Sequence, residues 1–191
     1  MRTAIAAVVV GLSLTACSGT RDDAAPPADS ASPSSATPAP MPAADTATAT
    51  LMTANGRELG TLTLTDVSGG IQVAGRLSGL PPGEHAIHLH TTGQCEAPFT
   101  SAGGHWNPTG RQHGTDNPEG PHFADMPNIM VASDSSVSIM ARTPGGTLRG
   151  ENALLDDDGA AVVIHAGPDD YRTDPAGDAG ARIACGVVTG R

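Results

Sequence analysis

The chain contains no lysine and very few aromatic residues. All 10 basic residues are arginine, against 20 acidic residues, so the formal net charge is -10 over 191 residues. This charge argues against binding to nucleic acid or to an anionic membrane surface, because both are themselves negative. Since aromatic residues make up only 2% of the chain, the core must be aliphatic. The length allows one domain of ordinary size plus additional segments.

No N-terminal hydrophobic run is long enough to cross a bilayer comfortably. The apolar stretch 4–14 is too short for that and follows a basic residue, Arg2. It ends in Leu14-Thr15-Ala16-Cys17, which resembles a bacterial lipobox. We therefore expect residues 1–16 to be a lipoprotein signal peptide and Cys17 to be lipidated. The alternative is an ordinary signal peptide that is cut elsewhere.

The segment that follows lacks the residues needed to build a core. Residues 17–47 are mostly alanine, proline, serine, threonine and aspartate, and cannot bury enough apolar area to offset their ordering entropy. We expect a disordered linker that holds a domain of residues 48–191 away from the membrane. The protein would be exported to the cell envelope, facing the periplasm or the surface, with its lipid as the only membrane attachment.

From residue 48, apolar and polar residues alternate in short runs separated by glycine and aspartate, at residues 59–65, 71–77 and 137–141. Residues 160–165 and 183–189 are two further predicted strands. Short alternating strands at regular spacing predict an antiparallel sandwich or barrel. Two long stretches, residues 91–127 and 166–182, break the pattern, and long loops in a compact domain are usually functional.

The seven histidines concentrate in and beside these two stretches. Strand geometry places His88 and His90 on one face and His85 on the other. His165 ends a later strand. The first loop adds His105, His113, His122 and Asp125. Singly, such residues are usually solvated or packed, but together they indicate a metal site, because imidazole and carboxylate suit zinc and imidazole also suits copper.

The glycine and histidine motifs occur in the order typical of one family. They are Gly83-x-His85-x-x-His88-x-His90, Gly103-x-His105-x-Asn107-Pro108, His113-Gly114, His122-x-x-Asp125, His165 and Gly180-Ala181-Arg182-Ile183-Ala184-Cys185-Gly186. Because of these motifs, residues 48–191 resemble the Cu,Zn superoxide dismutases. The segment Asp169-Asp170-Tyr171 and the lipobox resemble those of the bacterial exported type. The resemblance implies an all-β fold, an eight-stranded Greek-key β-barrel or sandwich with two long functional loops.

The resemblance also implies one copper ion and one zinc ion per subunit. The expected copper ligands are His88, His90, His105 and His165. The expected zinc ligands are His105, His113, His122 and Asp125, so that His105 bridges both ions. Asp169 would tie His88 to His113, with the neighbouring Asp170 as an alternative. His85 would be structural.

Two further features are implied outside the ligand set. Cys95 and Cys185, the pair left after Cys17, would form a disulfide closing about 90 residues, which is worth about 4–5 kcal/mol in the chain-entropy model; free thiols are the alternative. Arg182 would attract and orient superoxide. The family often adds lysines on the second loop, and whether Arg111 or Arg172 substitutes for them stays open.

The implied reaction converts superoxide to dioxygen and hydrogen peroxide as copper cycles between Cu(II) and Cu(I). His105 would release copper and take a proton in the first half-reaction, then return it in the second. The alternative is a non-enzymatic copper/zinc-binding module with the same fold, which missing ligands or a missing arginine would favour. A copper-only enzyme would lack the zinc residues, and a purely structural sandwich leaves the histidines unexplained. Monomer and homodimer both remain open.

Overall fold

The computed structural model describes residues 45–190, which form an all-β fold of nine strands with one 3₁₀ turn at Thr100–Ala102. The strands are β1 Thr46–Thr53, β2 Glu58–Val67, β3 Gly70–Ser78, β4 Gly83–His85, β5 Ile87–His90, β6 Ile129–Val131, β7 Ser136–Arg142, β8 Ala161–His165 and β9 Arg182–Thr189. The expected signal peptide, Cys17 and nearly all of the expected linker lie outside these residues. Within the described part of the chain, no helix has the length and apolar character needed to cross a membrane.

The alternating sequence pattern produces strands with one buried and one exposed face. In β1, Ala47, Ala49 and Leu51 are buried while the intervening threonines face outward. The strand begins at Thr46, two residues before the expected domain start at Thr48, because Ala47 is already buried at 3% exposure. The predicted strands at residues 59–65 and 71–77 are present, slightly longer, as β2 and β3.

Seven strands form one antiparallel sheet in the order β5-β8-β9-β1-β2-β3-β7, and β4 pairs separately with β6. Only Ala86 separates β4 from β5. Its N–H donates to the carbonyl of Gly167 and its carbonyl accepts the N–H of His165, so β4 and β5 form one interrupted strand. Counted so, eight strands are present. Because β3 pairs with β7 while β4 pairs with β6, the connection is a Greek key. The predicted all-β barrel or sandwich is confirmed.

The core is aliphatic, as the scarcity of aromatic residues requires. Its largest fully buried side chains include Leu51, Leu62, Leu64, Ile71, Ile87, Leu89 and Ile164. The one tryptophan, Trp106, belongs to the first long loop and packs its ring 5.4 Å from that of Phe123. Burying these apolar surfaces supplies the main driving force for folding.

The first long loop folds back along β5. His90 pairs with His105 and His88 with Asp125 as isolated antiparallel bridges. On its other edge, β5 pairs with β8, which ends at His165. The backbone therefore brings residues from the strand, the loop and the neighbouring strand to one place.

Candidate metal centre

Six buried side-chain atoms have no hydrogen-bond partner among residues 45–190, and all belong to histidines or to one aspartate. They are His88 Nδ1, His90 Nε2, His105 Nε2, His113 Nδ1, Asp125 Oδ1 and His165 Nε2. An unpaired buried polar atom is costly and rare in a native fold. Six such atoms on neighbouring side chains, of which His113 Nδ1 and Asp125 Oδ1 lie 2.8 Å apart, form a set that could bind metal ions.

One group, which we call the Asp125 cluster, consists of His105, His113, His122 and Asp125. Each residue offers a ligand atom, and these atoms lie within 4.8 Å of one another. Asp125 Oδ1 lies 3.4 Å from Nδ1 of His105, 2.8 Å from Nδ1 of His113 and 3.6 Å from Nδ1 of His122. Three nitrogens and one oxygen form a donor set that fits tetrahedral zinc.

The protein keeps Asp125 ionised and leaves one of its oxygens without a hydrogen-bond partner. Its Oδ2 accepts the backbone N–H groups of Gly114 at 2.8 Å and His122 at 2.9 Å. Burial alone would raise the pKa of the Asp125 carboxyl, but His105, His113 and the Gly114 N–H hold it well below its usual range. Oδ1 is therefore left negatively charged and facing the cluster.

The second group, the His165 cluster, consists of His88, His90, His105 and His165. His88, His105 and His165 offer ligand atoms within 4.8 Å of one another. The ring centroid of His90 lies 5.1 Å from that of His105 and 5.9 Å from that of His165. His105 belongs to both clusters, since its Nδ1 faces Asp125 while its Nε2 is unpaired. An all-imidazole set of this kind suits copper.

Three histidines of the His165 cluster use their second ring nitrogen to hold the ring in place. The contacts are His88 Nε2 to Asp169 Oδ2 at 2.8 Å, His90 Nδ1 to Gly103 O at 3.0 Å, and His165 Nδ1 to Gly180 O at 3.2 Å. Donation to these oxygens leaves the unpaired nitrogen with its lone pair. Burial lowers the pKa of His88 to about 4, of His90 to about 2 and of His165 to about 3, so these rings are neutral at neutral pH.

Asp169 joins the two clusters. Its Oδ2 faces His88 Nε2 at 2.8 Å and its Oδ1 faces His113 Nε2 at 2.9 Å, with the residue only 3% exposed. Burial alone would lower the pKa of His113, but the carboxylates of Asp125 and Asp169 on either side raise it to about 9. Asp170, the alternative considered from sequence, is exposed and caps the turn at Thr173 instead.

Arg182 lies beside the His165 cluster. Its guanidinium donates to the carbonyls of Phe99 at 2.6 Å and Gly103 at 2.7 Å, and Gly103 O also faces His90 Nδ1. A cleft of about 320 Å³ opens at this point. It is lined by Pro98, Thr100, Gly180, Ala181 and Arg182. A fixed positive charge therefore stands at the mouth of a cleft next to buried, neutral histidines.

The expected disulfide is present between Cys95 and Cys185, with a Cα–Cα distance of 5.6 Å and a sequence separation of 90. Cys95 lies in the first loop, shortly before the carbonyls that hold Arg182. Cys185 lies in β9, the strand that begins at Arg182. The bond thus fastens the loop that supplies these acceptors to the strand that carries the arginine.

The remaining sequence candidates lie outside both clusters. Both ring nitrogens of His85 face carbonyls, those of His165 and Pro81, each at 2.9 Å, which fits a structural role. Arg111 donates to the carbonyl of Gly120. Arg172 forms an exposed ion pair with Asp116 at 3.8 Å. Neither arginine lines the cleft beside Arg182.

Two residues that the sequence did not single out hold Asp169 in position. The Asn128 side chain donates to Asp169 O at 3.0 Å and accepts the Asp169 N–H at 2.9 Å. Gly177 packs so closely that a Cβ atom there would lie 1.9 Å from Asp169 Oδ1. No local pattern marks Asn128, because its partner lies 41 residues away. Gly177 lies in the same loop as Asp169, but many glycines in this chain lie in ordinary turns, so its position gave no specific signal.

Comparison with known proteins gives the class that this fold and these clusters define. A family model described as copper/zinc superoxide dismutase matches residues 58–188. A Cu-Zn superoxide dismutase of Aquifex aeolicus is 47% identical over 144 residues, which is 73% of this chain and 84% of that protein. A Cu-Zn superoxide dismutase of Caulobacter vibrioides is 42% identical over 147 residues, covering 74% and 84%.

The solved structures show the same likeness. The crystal structure of a superoxide dismutase-like protein from Bacillus subtilis superposes with a TM-score of 0.70 at 34% identity, covering 73% of this chain and 96% of that one. The chain therefore belongs to the copper/zinc superoxide dismutase family and is an oxidoreductase of the bacterial type.

Proposed function

We propose that the protein converts superoxide to dioxygen and hydrogen peroxide at a centre of one copper and one zinc ion per subunit. The observation that carries the proposal is the convergence of unpaired, buried ligand atoms on two adjoining clusters. The His165 cluster would hold copper, because its donors are imidazole nitrogens of neutral rings. The Asp125 cluster would hold zinc, because it offers three nitrogens and one anionic oxygen.

The residues divide the chemistry among them. Held by the His165 cluster, copper would supply the one-electron chemistry of both half-reactions by cycling between Cu(II) and Cu(I). His105 Nε2 would accept a proton in the first half-reaction and pass it to the peroxide in the second, and a second proton, taken from solvent, completes hydrogen peroxide. Because Nδ1 of His105 faces Asp125, the ring keeps its position while Nε2 gains and loses the proton.

Arg182 decides which opening admits the substrate. A cleft of about 380 Å³ near Trp106 and His105 contains Asp156 and no arginine, so it repels an anion. The cleft of about 320 Å³ contains Arg182 and no acidic residue. Since the whole chain carries a net charge of -10, the local positive charge of Arg182 is needed to attract and orient superoxide.

Export and lipid attachment complete the proposal. The disulfide supports an exported protein, because such bonds persist in oxidising compartments. Residues 1–16 would be removed and Cys17 acylated, which places the enzyme in the cell envelope on a linker that ends near residue 47. Cys17→Ser should move the protein from the membrane to the soluble fraction, and the mass of the purified N-terminal peptide should show the lipid. An unmodified Cys17 contradicts the anchor.

A non-enzymatic copper/zinc-binding module is the second candidate. It is favoured by the likeness to the Bacillus subtilis protein, which is described only as superoxide dismutase-like. What speaks against it is that the sequence retains every expected ligand and Arg182, and that most of these ligands lie close enough together to share an ion. A module that only stores or transfers copper has no need of a cation at the mouth of the site.

Removing and restoring the metals tests the proposed function. The full chain is stripped with a chelator and reloaded with copper, with zinc or with both, and superoxide decay is followed by stopped flow. We expect no decay beyond the spontaneous rate after stripping or with zinc alone, and fast decay with both metals. Protein that binds both metals without accelerating decay overturns the proposal and favours the binding module.

A further inference from the structure

A second carboxylate of the long 166–181 loop lies against the Asp125 cluster. Asp174 Oδ1 accepts the backbone N–H of His113 at 2.7 Å. The same oxygen lies 3.7 Å from Nε2 of His122, on the side of that ring away from the cluster. One side chain thus contacts two of the cluster's histidines, although it is half-exposed at 51%.

His122 needs such a partner more than its neighbours do. The outer nitrogen of His113 is held by Asp169 at 2.9 Å, and Nε2 of His105 faces the other cluster. Nδ1 of His122 points inward, 3.4 Å from Nδ1 of His105. Its Nε2 has Asp174 as its charged neighbour in the described chain, at ion-pair rather than hydrogen-bond distance.

A carboxylate behind a metal-bound imidazole fixes the ring and makes its inner nitrogen a better donor. We propose that Asp174 is a positioning residue for zinc, orienting His122 through its charge and fixing the His113 segment through its hydrogen bond. The inference rests on the proposed zinc site and concerns how tightly that site holds its ion. The second loop thus supplies one carboxylate to the outer nitrogen of each of two histidines, Asp169 to His113 and Asp174 to His122.

Three variants of the full chain separate the two contacts. Asp174→Asn removes the charge but keeps an oxygen that can accept the His113 N–H. Asp174→Glu keeps the charge and tests rescue. Asp178→Asn removes the same charge from an exposed position in the same loop and serves as the matched control.

Zinc affinity is measured on metal-free protein by competition with a chromogenic chelator, and Co²⁺ is added in place of zinc to record its visible spectrum. We expect Asp174→Asn to bind zinc about 10-fold more weakly and to alter the Co²⁺ bands, since outer partners of metal ligands have effects of this size. Asp174→Glu should recover part of the affinity. Asp178→Asn should stay within about twofold of the wild type, and metal-free Asp174→Asn should unfold like the wild type.

The alternative outcomes are distinct. Equal zinc affinity for Asp174→Asn and the wild type overturns the inference and leaves the proposed function standing. Equal weakening by Asp174→Asn and Asp178→Asn assigns the effect to net charge and also overturns it. A wild type that binds neither zinc nor Co²⁺ overturns the proposed function itself.

Discussion

Asp169 holds one histidine of each cluster with its two oxygens, His88 at 2.8 Å and His113 at 2.9 Å. In Asp169→Asn the amide can accept from one of these rings but turns an N–H toward the other. We expect copper and zinc affinities to fall by about 10- to 100-fold, as for other residues that orient metal ligands. Chelator competition measures both.

Asp170→Asn is the matched control, because Asp170 is the adjacent, exposed acid. Its amide can still accept the backbone N–H groups of Arg172 and Thr173, which its Oδ1 accepts at 2.9 and 2.8 Å. Metal affinity should therefore stay at the wild-type level. Equal losses in the two variants contradict the role given to Asp169.

Gly177 leaves the space that Asp169 occupies. Its φ is +64°, and a Cβ there would lie 1.9 Å from Asp169 Oδ1 and 2.8 Å from His113 Nε2. The Gly177→Ala variant should therefore bind both copper and zinc more weakly than the wild type, as Asp169→Asn does. Gly56→Ala is the control, because Gly56 has φ +81° and nothing within 4 Å of its ideal Cβ. In both variants the free energy of unfolding should fall by about 1–3 kcal/mol because of backbone strain. A weaker metal affinity in Gly56→Ala contradicts the steric explanation.

The histidines of the two clusters could be predicted from the sequence, but several residues that hold the site in position could not. Strand parity put His88 and His90 on one face, and the family motifs supplied the loop ligands. Asp174 and Asn128 gave no such signal, because their partners lie 61 and 41 residues away and only the folded loops bring them together. Local patterns carry no information about contacts of that kind.

Among the elements, strands with an alternating or a continuous apolar pattern were predictable, and strands without such a pattern were not. β2, β3 and β7 alternate apolar and polar residues, while β8 and β9 are largely apolar runs. β6 has only three residues, too few to show a period. β1 alternates alanine with threonine, a composition that merges with the preceding linker, so this strand was not predicted. The return of the first loop along β5 is a tertiary contact without a local signature.

The disulfide links the first loop to β9 and should stabilise both the fold and the cleft. Replacing Cys95 and Cys185 together by serine should lower the free energy of unfolding by about 4–5 kcal/mol, the value of the chain-entropy model for a loop of this length. Superoxide decay should slow as well, because Phe99 and Gly103, which hold Arg182, lie in the tethered segment. Urea unfolding measures the first effect.

Reduced wild type should match the double serine variant in urea, since both lack only the covalent link. If the variant unfolds at the same urea concentration as the oxidised wild type, the disulfide has no stabilising role and the explanation fails.

For the whole molecule, the buried histidines make the stability of the metal-free protein depend on pH. Burial depresses the pKa of His88 to about 4, of His90 to about 2 and of His165 to about 3, from 6.5 in the unfolded chain. Below pH 6.5 the unfolded chain binds protons that the folded protein does not. The free energy of unfolding should therefore fall on acidification toward pH 4, by up to about 1.4 kcal/mol per pH unit for each ring.

His113 acts in the opposite direction. Its pKa is raised to about 9, so its contribution is complete below pH 6.5 and is lost as the pH rises through 9. Metal-free protein should be most stable near pH 6.5, with a steep decline on the acid side and a shallower one on the alkaline side. Urea unfolding between pH 4 and pH 9 measures the curve, and stability that rises on acidification from pH 6.5 contradicts it.

The central claim is that two ions occupy adjoining clusters and that only the all-histidine one performs electron transfer. The most direct measurement counts copper and zinc in loaded wild type, His165→Ala and His122→Ala, and records superoxide decay for each. We predict one copper and one zinc with fast decay in the wild type. The His165→Ala variant should retain zinc but bind no copper and no longer accelerate superoxide decay. The His122→Ala variant should lose zinc while retaining copper. Full metal content in the wild type without decay, or a His165→Ala variant that still accelerates decay, contradicts the claim.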